Sequence, residues 1–511
     1  MFLFAVAAPH SIAAAQGAWV GGVLLCAARF LVRPRPVWRR TPLDYWLLGF
    51  FIWTFLSALV SYEPDISVGK LRAASLFTIV YLVAQNVASR RAARALLFAL
   101  VASCMVNVFY TFGVYAKGRG VKVRQLHAES PLRAAGVREG DTLLAVDEVP
   151  VNHPSEVEKE IQTVRALTIR WPNGETACVS SEREACVSAY RAEAVLPLAT
   201  ARARLLEGVT PEARLGIAGW SAGRDERASG FYGQYMTYAE VLQLIGSLAL
   251  GLLAARRFRR DRVSALLAAG LACVAVALLL TVTRGAWLGF LVSAFVVLLA
   301  ASAGRRALVM TTVVAVPLVL AGLFVLQQKR RVGFLDARDG STSWRLIVYR
   351  EGFEVLTRSP RHLLAGVGMD SIKRRWREWG MFDGGRIPVG HLHSTPLQLA
   401  FERGLPALLL WLALMYVYGR TLWRLARTDK SLEWAERGLA IGALGGLAGF
   451  LTSGLVHYNF GDSEVVMVFY FVMGLALAVE RRAREEGEGR EAEARSPETE
   501  AVETLKEVQP A

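Results

Sequence analysis

The sequence predicts an all-α polytopic membrane protein of 11–12 transmembrane helices carrying one small α+β insert outside the membrane. Three observations carry that expectation. The chain has 511 residues, is 53% hydrophobic, and contains eleven apolar runs near the ~20-residue length that crosses a bilayer. Its arginines cluster in alternate short loops between those runs, as the positive-inside rule describes. One long stretch, residues 116–231, lacks such runs and instead alternates apolar and polar residues between turn signals. A formal charge of +15 would suggest nucleic acid in a soluble chain, but here the loop arginines account for it.

The runs fall near 12–32, 44–60, 67–88, 94–115, 232–255, 263–283, 285–303, 306–327, 405–422, 437–456 and 464–480. Residues 1–11 offer part of a twelfth, although 1–32 is short for two crossings at ~1.5 Å per residue. No basic leader precedes the first run, so no cleavable signal peptide is expected. The chain therefore divides into N-terminal transmembrane helices (1–116), a soluble insert (117–190) and a connector (191–231). Central transmembrane helices (232–327), a large polar loop (328–404), C-terminal transmembrane helices (405–480) and a charged tail (481–511) complete it. The tail is rich in Glu, Arg and Ala and is expected to be cytoplasmic and disordered beyond its first turns.

Orientation follows from Arg29, Arg33, Arg35, Arg39 and Arg40, from Arg90, Arg91 and Arg94, and from the later sets around Arg256, Arg305 and Arg420. Those alternate loops are cytoplasmic. The opposite set is 61–67, 116–231, the junction at 284, 328–404 and 457–463, which puts Arg284, Arg345, His393 and His457 on one outer face. Cys26, Cys104 and Cys273 lie in apolar runs as packing residues. Cys178 and Cys186 lie on the outer side, either as a disulfide or as two reduced thiols.

The insert runs through Gly120-Val121-Lys122-Val123-Arg124, Ser130-Pro131-Leu132-Arg133-Ala134-Ala135-Gly136 and Gly140-Asp141-Thr142-Leu143-Leu144. A helix is expected at 155–163, with strands at 166–171 and 175–180 around Pro172-Asn173-Gly174. This order of motifs resembles a PDZ domain of the bacterial periplasmic-protease type. The resemblance implies capture of a peptide or protein end by strand addition beside a helix. It would place the carboxylate-binding loop just before Val121, where Gly118-Arg119-Gly120 departs from the family pattern. A docking or structural insert is the other reading.

The residues that could carry chemistry gather between Gln327 and Leu405: Ser343-Trp344-Arg345, Gly366-Val367-Gly368, His391-Leu392-His393-Ser394 and Glu402-Arg403-Gly404. Guanidinium binds phosphate oxygens through paired hydrogen bonds, and imidazole moves protons near neutral pH. His393 is the candidate general base. Arg284, at the edge of a span with no acid nearby in sequence, and Arg345 are candidate anion ligands. Lys70 and Arg72 open a span on the outer side against the charge rule and are further candidates for phosphate. On a helix His391 would face away from His393, which leaves it a supporting role. The spacing of His391, His393 and His457 matches no common zinc motif, and the outer loops hold no Asp-x-Asp sequence for a divalent cation. No metal or cofactor is expected.

Thr283-Arg284-Gly285, Trp344-Arg345 with Tyr349, Gly366-x-Gly368 and His393-Ser394-x-x-Leu397-Gln398 with Glu402-x-Gly404 resemble the ordered motifs of the O-antigen ligase and polymerase superfamily. Serine replaces its usual asparagine at 394. Asn459-Phe460-Gly461-Asp462-Ser463-Glu464 is similar to that family's last outer loop, and Arg227-Ala228-Ser229 to a weaker earlier motif. The resemblance implies a C-type glycosyltransferase architecture in a bacterial inner membrane with a periplasmic active site. It implies a metal-independent transfer of a glycan from undecaprenyl pyrophosphate to an acceptor hydroxyl. Arg284, Arg345 and Arg227, helped by Lys70 and Arg72, would bind the pyrophosphate. His393 would act as base, supported by His391, Glu402, Asp462 and Glu464. The acceptor would be lipid A core for a ligase, another glycan for a polymerase, or protein for an O-oligosaccharyltransferase. A non-catalytic scaffold that recruits partners through the insert is the reading of another class.

Overall fold

A computed structural model describes residues 1–134, 136–146, 149–162, 168–170, 176–179, 185–189, 194–198, 205–224, 227–302, 340–387, 389–428 and 432–494. The chain separates into two compact units, one of residues 1–108, 229–372 and 391–511, the other of residues 109–228 and 373–390.

The first unit is helical. Its N-terminal part comprises α1 (Phe2–Ala7), α2 (Ile12–Arg29), α3 (Asp44–Leu59), α4 (Pro64–Gly69), α5 (Leu71–Ala74), α6 (Thr78–Asn86) and most of α7 (Arg90–Lys117). Eight helices among the described residues are long and apolar enough to cross a membrane. The expectation from the sequence was 11–12 over the whole chain. Residues 1–11 hold only the six-residue α1, and α3 stops at sixteen residues. The run at 306–327 lies outside the described residues.

The second unit is built from β1 (Val121–Leu126), α8 (Pro131–Ala134), β2 (Thr142–Val146), β3 (Val149–Pro150), α9 (Pro154–Gln162), β4 (Thr168–Arg170), β5 (Thr176–Val179), β6 (Ala185–Ala189), β7 (Ala194–Leu198), α10 (Pro211–Leu215) and β8 (Ile217–Ala222). Its main sheet runs β7-β6-β2-β1-β8, with β3 also paired to β2. The β4–β5 pair stands apart as a two-stranded sheet. Val121, Val123, Leu143 and Val146 from the strands and Val157 and Ile161 from α9 form its core. Alternation puts Val121 and Val123 on one face of β1, and a register shift within β2 brings both Leu143 and Val146 to the core. Asp141 stabilises the turn before β2 by accepting from the Arg138 amide at 2.8 Å. The 191–231 segment, expected as a connector, supplies β8, which pairs antiparallel with β1, and Leu215 and Ile217 of the core. The side chains of Cys178 and Cys186 lie outside the described residues.

The remaining helices are α11 (Tyr235–Ala255), α12 (Arg262–Leu280), α13 (Arg284–Ala301), α14 (Gly340–Thr357), α15 (Pro360–Ala365), α16 (Ile372–Trp379), α17 (Phe382–Gly385), α18 (Thr395–Thr428), α19 (Trp434–Gly454) and α20 (Ser463–Ala494). Of these, α16 opens the 373–390 part of the second unit and α17 lies within it.

The centre of the first unit is the packing of α11 on α13 and α19. Lipid tails are as apolar as leucine, so helices in a bilayer associate through close backbone approach and hydrogen bonds. Both are present. A Cβ built on Gly251 would stand 2.4 Å from the Gly442 nitrogen, and one on Gly449 would stand 2.2 Å from Ser293 Oγ. Ser247 Oγ donates to the Gly442 carbonyl at 2.8 Å, and Ser293 Oγ to the Gly445 carbonyl at 2.7 Å.

At the far end of α20 the helix continues to Ala494, well past Glu480, which corrects the expectation of disorder after the first turns. The cause is charge pairing. Arg482 is bound to Glu436, Arg90 lies 2.5 Å from Glu486, and Arg39 lies 3.0 Å from Glu485. Residues beyond 494 lie outside the described set.

Two outcomes follow from this packing. Gly251→Leu should collide with α19 backbone and destabilise the bundle by more than about 3 kcal/mol. Gly21→Leu, at a position with nothing within 4 Å, should not. Size-exclusion profiles and melting midpoints in detergent compare the two, and a Gly251→Leu protein as stable as Gly21→Leu contradicts the packing described. For the second unit, a fragment spanning 118–223 should unfold cooperatively by circular dichroism. A fragment ending at 190 loses β8 and should not. Equal melts for the two would remove β8 from the folded unit.

Candidate functional site

The segment 391–394 is placed by a break in α18. Gly404 interrupts that helix at φ 80°, two residues before Pro406, and frees the carbonyls of the preceding turn. A Cβ at Gly404 would lie 1.9 Å from the Leu364 carbonyl oxygen, so only glycine fits. The freed groups are satisfied by the Gly366-Val367-Gly368 segment. The Val367 and Gly368 amides donate to the Phe401 and Glu402 carbonyls, each at 2.9 Å. Trp53 Nε1 donates to the Arg403 carbonyl at 2.9 Å, and Ser57 Oγ to the Ala365 carbonyl at 2.7 Å, which anchors both segments on α3. The Gly-x-Gly and Glu-x-Gly motifs are thus two halves of one joint.

Glu402 is 3% exposed and takes hydrogen bonds from Gln398 Nε2 (2.9 Å), the Asp370 amide (3.1 Å) and Tyr458 OH (3.3 Å). Gln398 Oε1 accepts from the Leu392 amide at 2.6 Å. Through that bond the first turn of α18 holds the histidine segment.

His393 adopts a left-handed conformation at φ 49°. Its ring centroid lies 4.0 Å from that of His391 and 4.6 Å from the edge-on Trp344 ring. The expectation that His391 faces away assumed a helix. Residues 391–394 precede α18 as a loop, and the turn at His393 brings the two rings together. The His393 amide donates to His391 Nδ1 at 3.1 Å, which requires a lone pair there and so a proton on Nε2 if that ring is neutral. Tyr349 OH donates to the His393 carbonyl at 2.9 Å and lies 3.3 Å from the Leu455 carbonyl. The His393 Nδ1 atom is buried without a hydrogen-bond partner. Burial first, then the neighbouring His391, Arg345 and His457, hold the His393 pKa down at about 2, so its ring is neutral.

Arg345 is on α14 next to Trp344, and its charge bears on His393, His457 and Tyr349. Arg284 is the first residue of α13, where its charge adds to the positive end of the helix dipole instead of offsetting it. The next residue, Gly285, packs on Val456, with a Cβ there 2.9 Å from Val456 Cγ2. Arg284 therefore starts its helix beside the segment that carries His457. Asp462 accepts from Thr237 Oγ1 at 3.1 Å, and Glu464 lies in the first turn of α20. Lys70 is tied to Asp370 at 2.6 Å, which gives it a carboxylate within the protein. Arg72 is exposed on α5, and Arg227 belongs to the second unit.

Two more residues join the cluster: His457, which the sequence placed on the same face without a role, and Glu240, which it did not single out. His457, 6% exposed, has Nδ1 3.7 Å from Glu240 Oε1 and Nε2 3.9 Å from Asp462 Oδ2. Its ring lies 6.1 Å from that of His391. Glu240 is 1% exposed on α11 and also accepts from Ser453 Oγ at 2.7 Å. The signal for Glu240 was present in sequence as the one acid within the apolar run of α11.

No curated protein matches the chain. Residues 269–412, which include Arg284, Arg345, His391, His393 and Glu402, match the family model described as O-antigen ligase, and this supports a membrane protein of glycosyltransferase type.

Proposed function

We propose that the chain is a ligase that moves a glycan from undecaprenyl pyrophosphate to a hydroxyl of the lipid A core at the periplasmic face of a bacterial inner membrane. The observation that carries the reading is the meeting of His391, His393, Trp344-Arg345 and the start of α13 at one end of the bundle, within the segment that matches the family. In the reaction the acceptor oxygen attacks the anomeric carbon, and the bond from that carbon to the pyrophosphate oxygen breaks. The bonding electrons leave with undecaprenyl pyrophosphate, and His393 takes the hydroxyl proton. Arg345 and Arg284 meet the charge of the leaving group. A bound pyrophosphate also cancels the positive surroundings that keep His393 weakly basic, so the base strengthens when the donor arrives. Lys70, held by Asp370, has a positioning role in this reading, with Asp462, Glu464 and Glu402 supporting the histidine loop.

For the insert we propose a PDZ-like module that takes the C-terminal end of a periplasmic partner. The Gly118–Gly120 loop is unsuited to the carboxylate, since the Arg119 amide already donates to the Gly223 carbonyl at 2.8 Å. The partner's end would instead add beside β8, the strand at the sheet edge. The first turn of α9 lies near β8 through the His153–Trp220 ring contact at 4.8 Å, and its middle meets Arg214 through Glu158 at 2.5 Å. Peptides with free C-termini should bind fragment 118–223 in a fluorescence titration, and amidated versions should bind far more weakly. Equal binding of both, or of neither, removes this role.

His393→Ala should lower transfer by about 10²–10⁴-fold while donor binding persists. Arg284→Lys should also impair it, because lysine keeps the charge and loses the paired hydrogen bonds. Transfer is measured in reconstituted protein with expression checked by blot, and a wild-type rate for His393→Ala ends the mechanism. In a deletion strain, loss of polymer from lipid A with lipid-linked polymer retained identifies a ligase. Single repeat units on the core identify a polymerase, and unchanged glycans identify a scaffold.

A further inference from the structure

His457, which the proposed reaction does not use, is buried at 6% exposure. His457 sits in the turn between α19 and α20, and its ring has a carboxylate at each nitrogen: Glu240 from α11 at 3.7 Å and Asp462 at 3.9 Å. Both carboxylates are held by other groups. Glu240 takes Ser453 Oγ at 2.7 Å and Asn459 Nδ2 at 3.4 Å, and Asp462 takes Thr237 Oγ1 at 3.1 Å. A carboxylate at 1% exposure in an apolar helix is expensive without a cationic partner, and His457 is the cationic group that the geometry supplies.

The same turn is joined to the catalytic segment. Thr395, the residue that opens α18 two positions after His393, donates its hydroxyl to Asn459 Oδ1 at 2.9 Å and lies 3.2 Å from the His457 carbonyl. Tyr349 spans the His393 and Leu455 carbonyls from α14. The His391 ring lies between, 4.0 Å from His393 and 6.1 Å from His457.

We propose that Glu240, His457 and Asp462 form a buried charge clamp, and that His457 and Glu240 are positioning residues which set the orientation and charge environment of His393. The proposal rests on the reading of His393 as the acceptor-activating base and assigns the group that governs it. Its electrostatics are consistent. Burial opposes a charge on His457, yet Glu240 and Asp462 outweigh burial and the repulsion of Arg345, and its pKa is raised. The positive ring is one of the charges that hold the His393 pKa down. The groups that face this region include Glu240 of α11, Asp462 and Tyr458 before α20, Glu464 of α20, Arg345 and Tyr349 of α14, and His391 and His393 before α18.

The test uses the full chain in liposomes, with lipid-linked glycan from the producing cells as donor and core lipid A as acceptor. His457→Gln keeps a polar side chain without the charge. Removing a positive neighbour raises the His393 pKa, so protonation begins at higher pH and the acid limb of kcat/KM moves upward by about one pH unit. In His457→Gln the imidazole is more basic but loses its fixed orientation, so kcat should fall about 10–100-fold with the donor KM unchanged. Glu240→Gln removes an anion that keeps His457 charged and should move the limb the same way, while Glu240→Asp should retain part of the activity.

A second readout does not need turnover. Diethyl pyrocarbonate attacks neutral imidazole, and peptide mass spectrometry locates the label. On donor-free protein, labelling of His393 should fade at higher pH in His457→Gln than in wild type. Wild-type kcat and an unmoved limb in a stably folded His457→Gln protein overturn the clamp. So does loss of activity in step with a lowered melting midpoint while the labelling profile stays in place, since that is a structural role only. If His393→Ala retains full transfer but the labelling shift is seen, the clamp stands and the reading of His393 as base fails.

Discussion

A carboxylate in the apolar helix α11 organises this end of the molecule. Glu240 is 1% exposed, and an unpaired charge in such surroundings costs several kcal/mol. Its partners Ser453, Asn459 and His457 all come from the end of α19 and the turn that follows. That turn is therefore fixed against α11, and through Thr395 it fixes the start of α18. The position of His393 thus depends on a residue 153 places earlier in the chain. The glycine contacts between α11, α13 and α19 make the arrangement feasible, because they bring the three backbones close enough for short side chains to bridge them.

A second constraint acts from the other side. The break at Gly404 leaves carbonyls that must be satisfied, and Val367 and Gly368 satisfy them. The Gly-x-Gly and Glu-x-Gly motifs near the site thus bear structural load, and the chemistry of the proposed reaction falls to the histidines. Substitutions at Gly366, Gly368 or Gly404 act by displacing the His391–His393 segment, since each would push a Cβ within about 2.5 Å of its neighbours.

Most of the helices were legible because apolar runs of bilayer length have few alternative readings in a charged, loop-punctuated chain. Their number was less so. The sixteen-residue α3 and the glycine-rich α19, with Glu436 and Arg437 near its start, read as spans by pattern yet are marginal by length or composition. The strands β4 and β5 and helix α9 fall within the stretches expected at 166–171, 175–180 and about 155–163, whereas β8 was not expected. Its partner β1 lies about a hundred residues earlier, and short strands built from Ile217-Ala218-Gly219-Trp220 carry no signal of what they pair with. In the site, Arg345 and His393 could be found from local pattern. The pairing of His391 with His393 could not, because it depends on a left-handed residue rather than on helical spacing.

The charge balance of the site has a consequence for the order of events. His393 is surrounded by Arg345, His391 and His457 and has no anion among its named neighbours. In that state it is neutral and a poor proton acceptor, so an acceptor hydroxyl arriving first would meet a weak base. In the proposed reaction, a dianionic leaving group beside Arg345 would offset that positive potential and raise the basicity of the imidazole before the hydroxyl is deprotonated. Such coupling needs the positive background to be fixed rather than free to titrate, and burial of His457 between two held carboxylates meets that need.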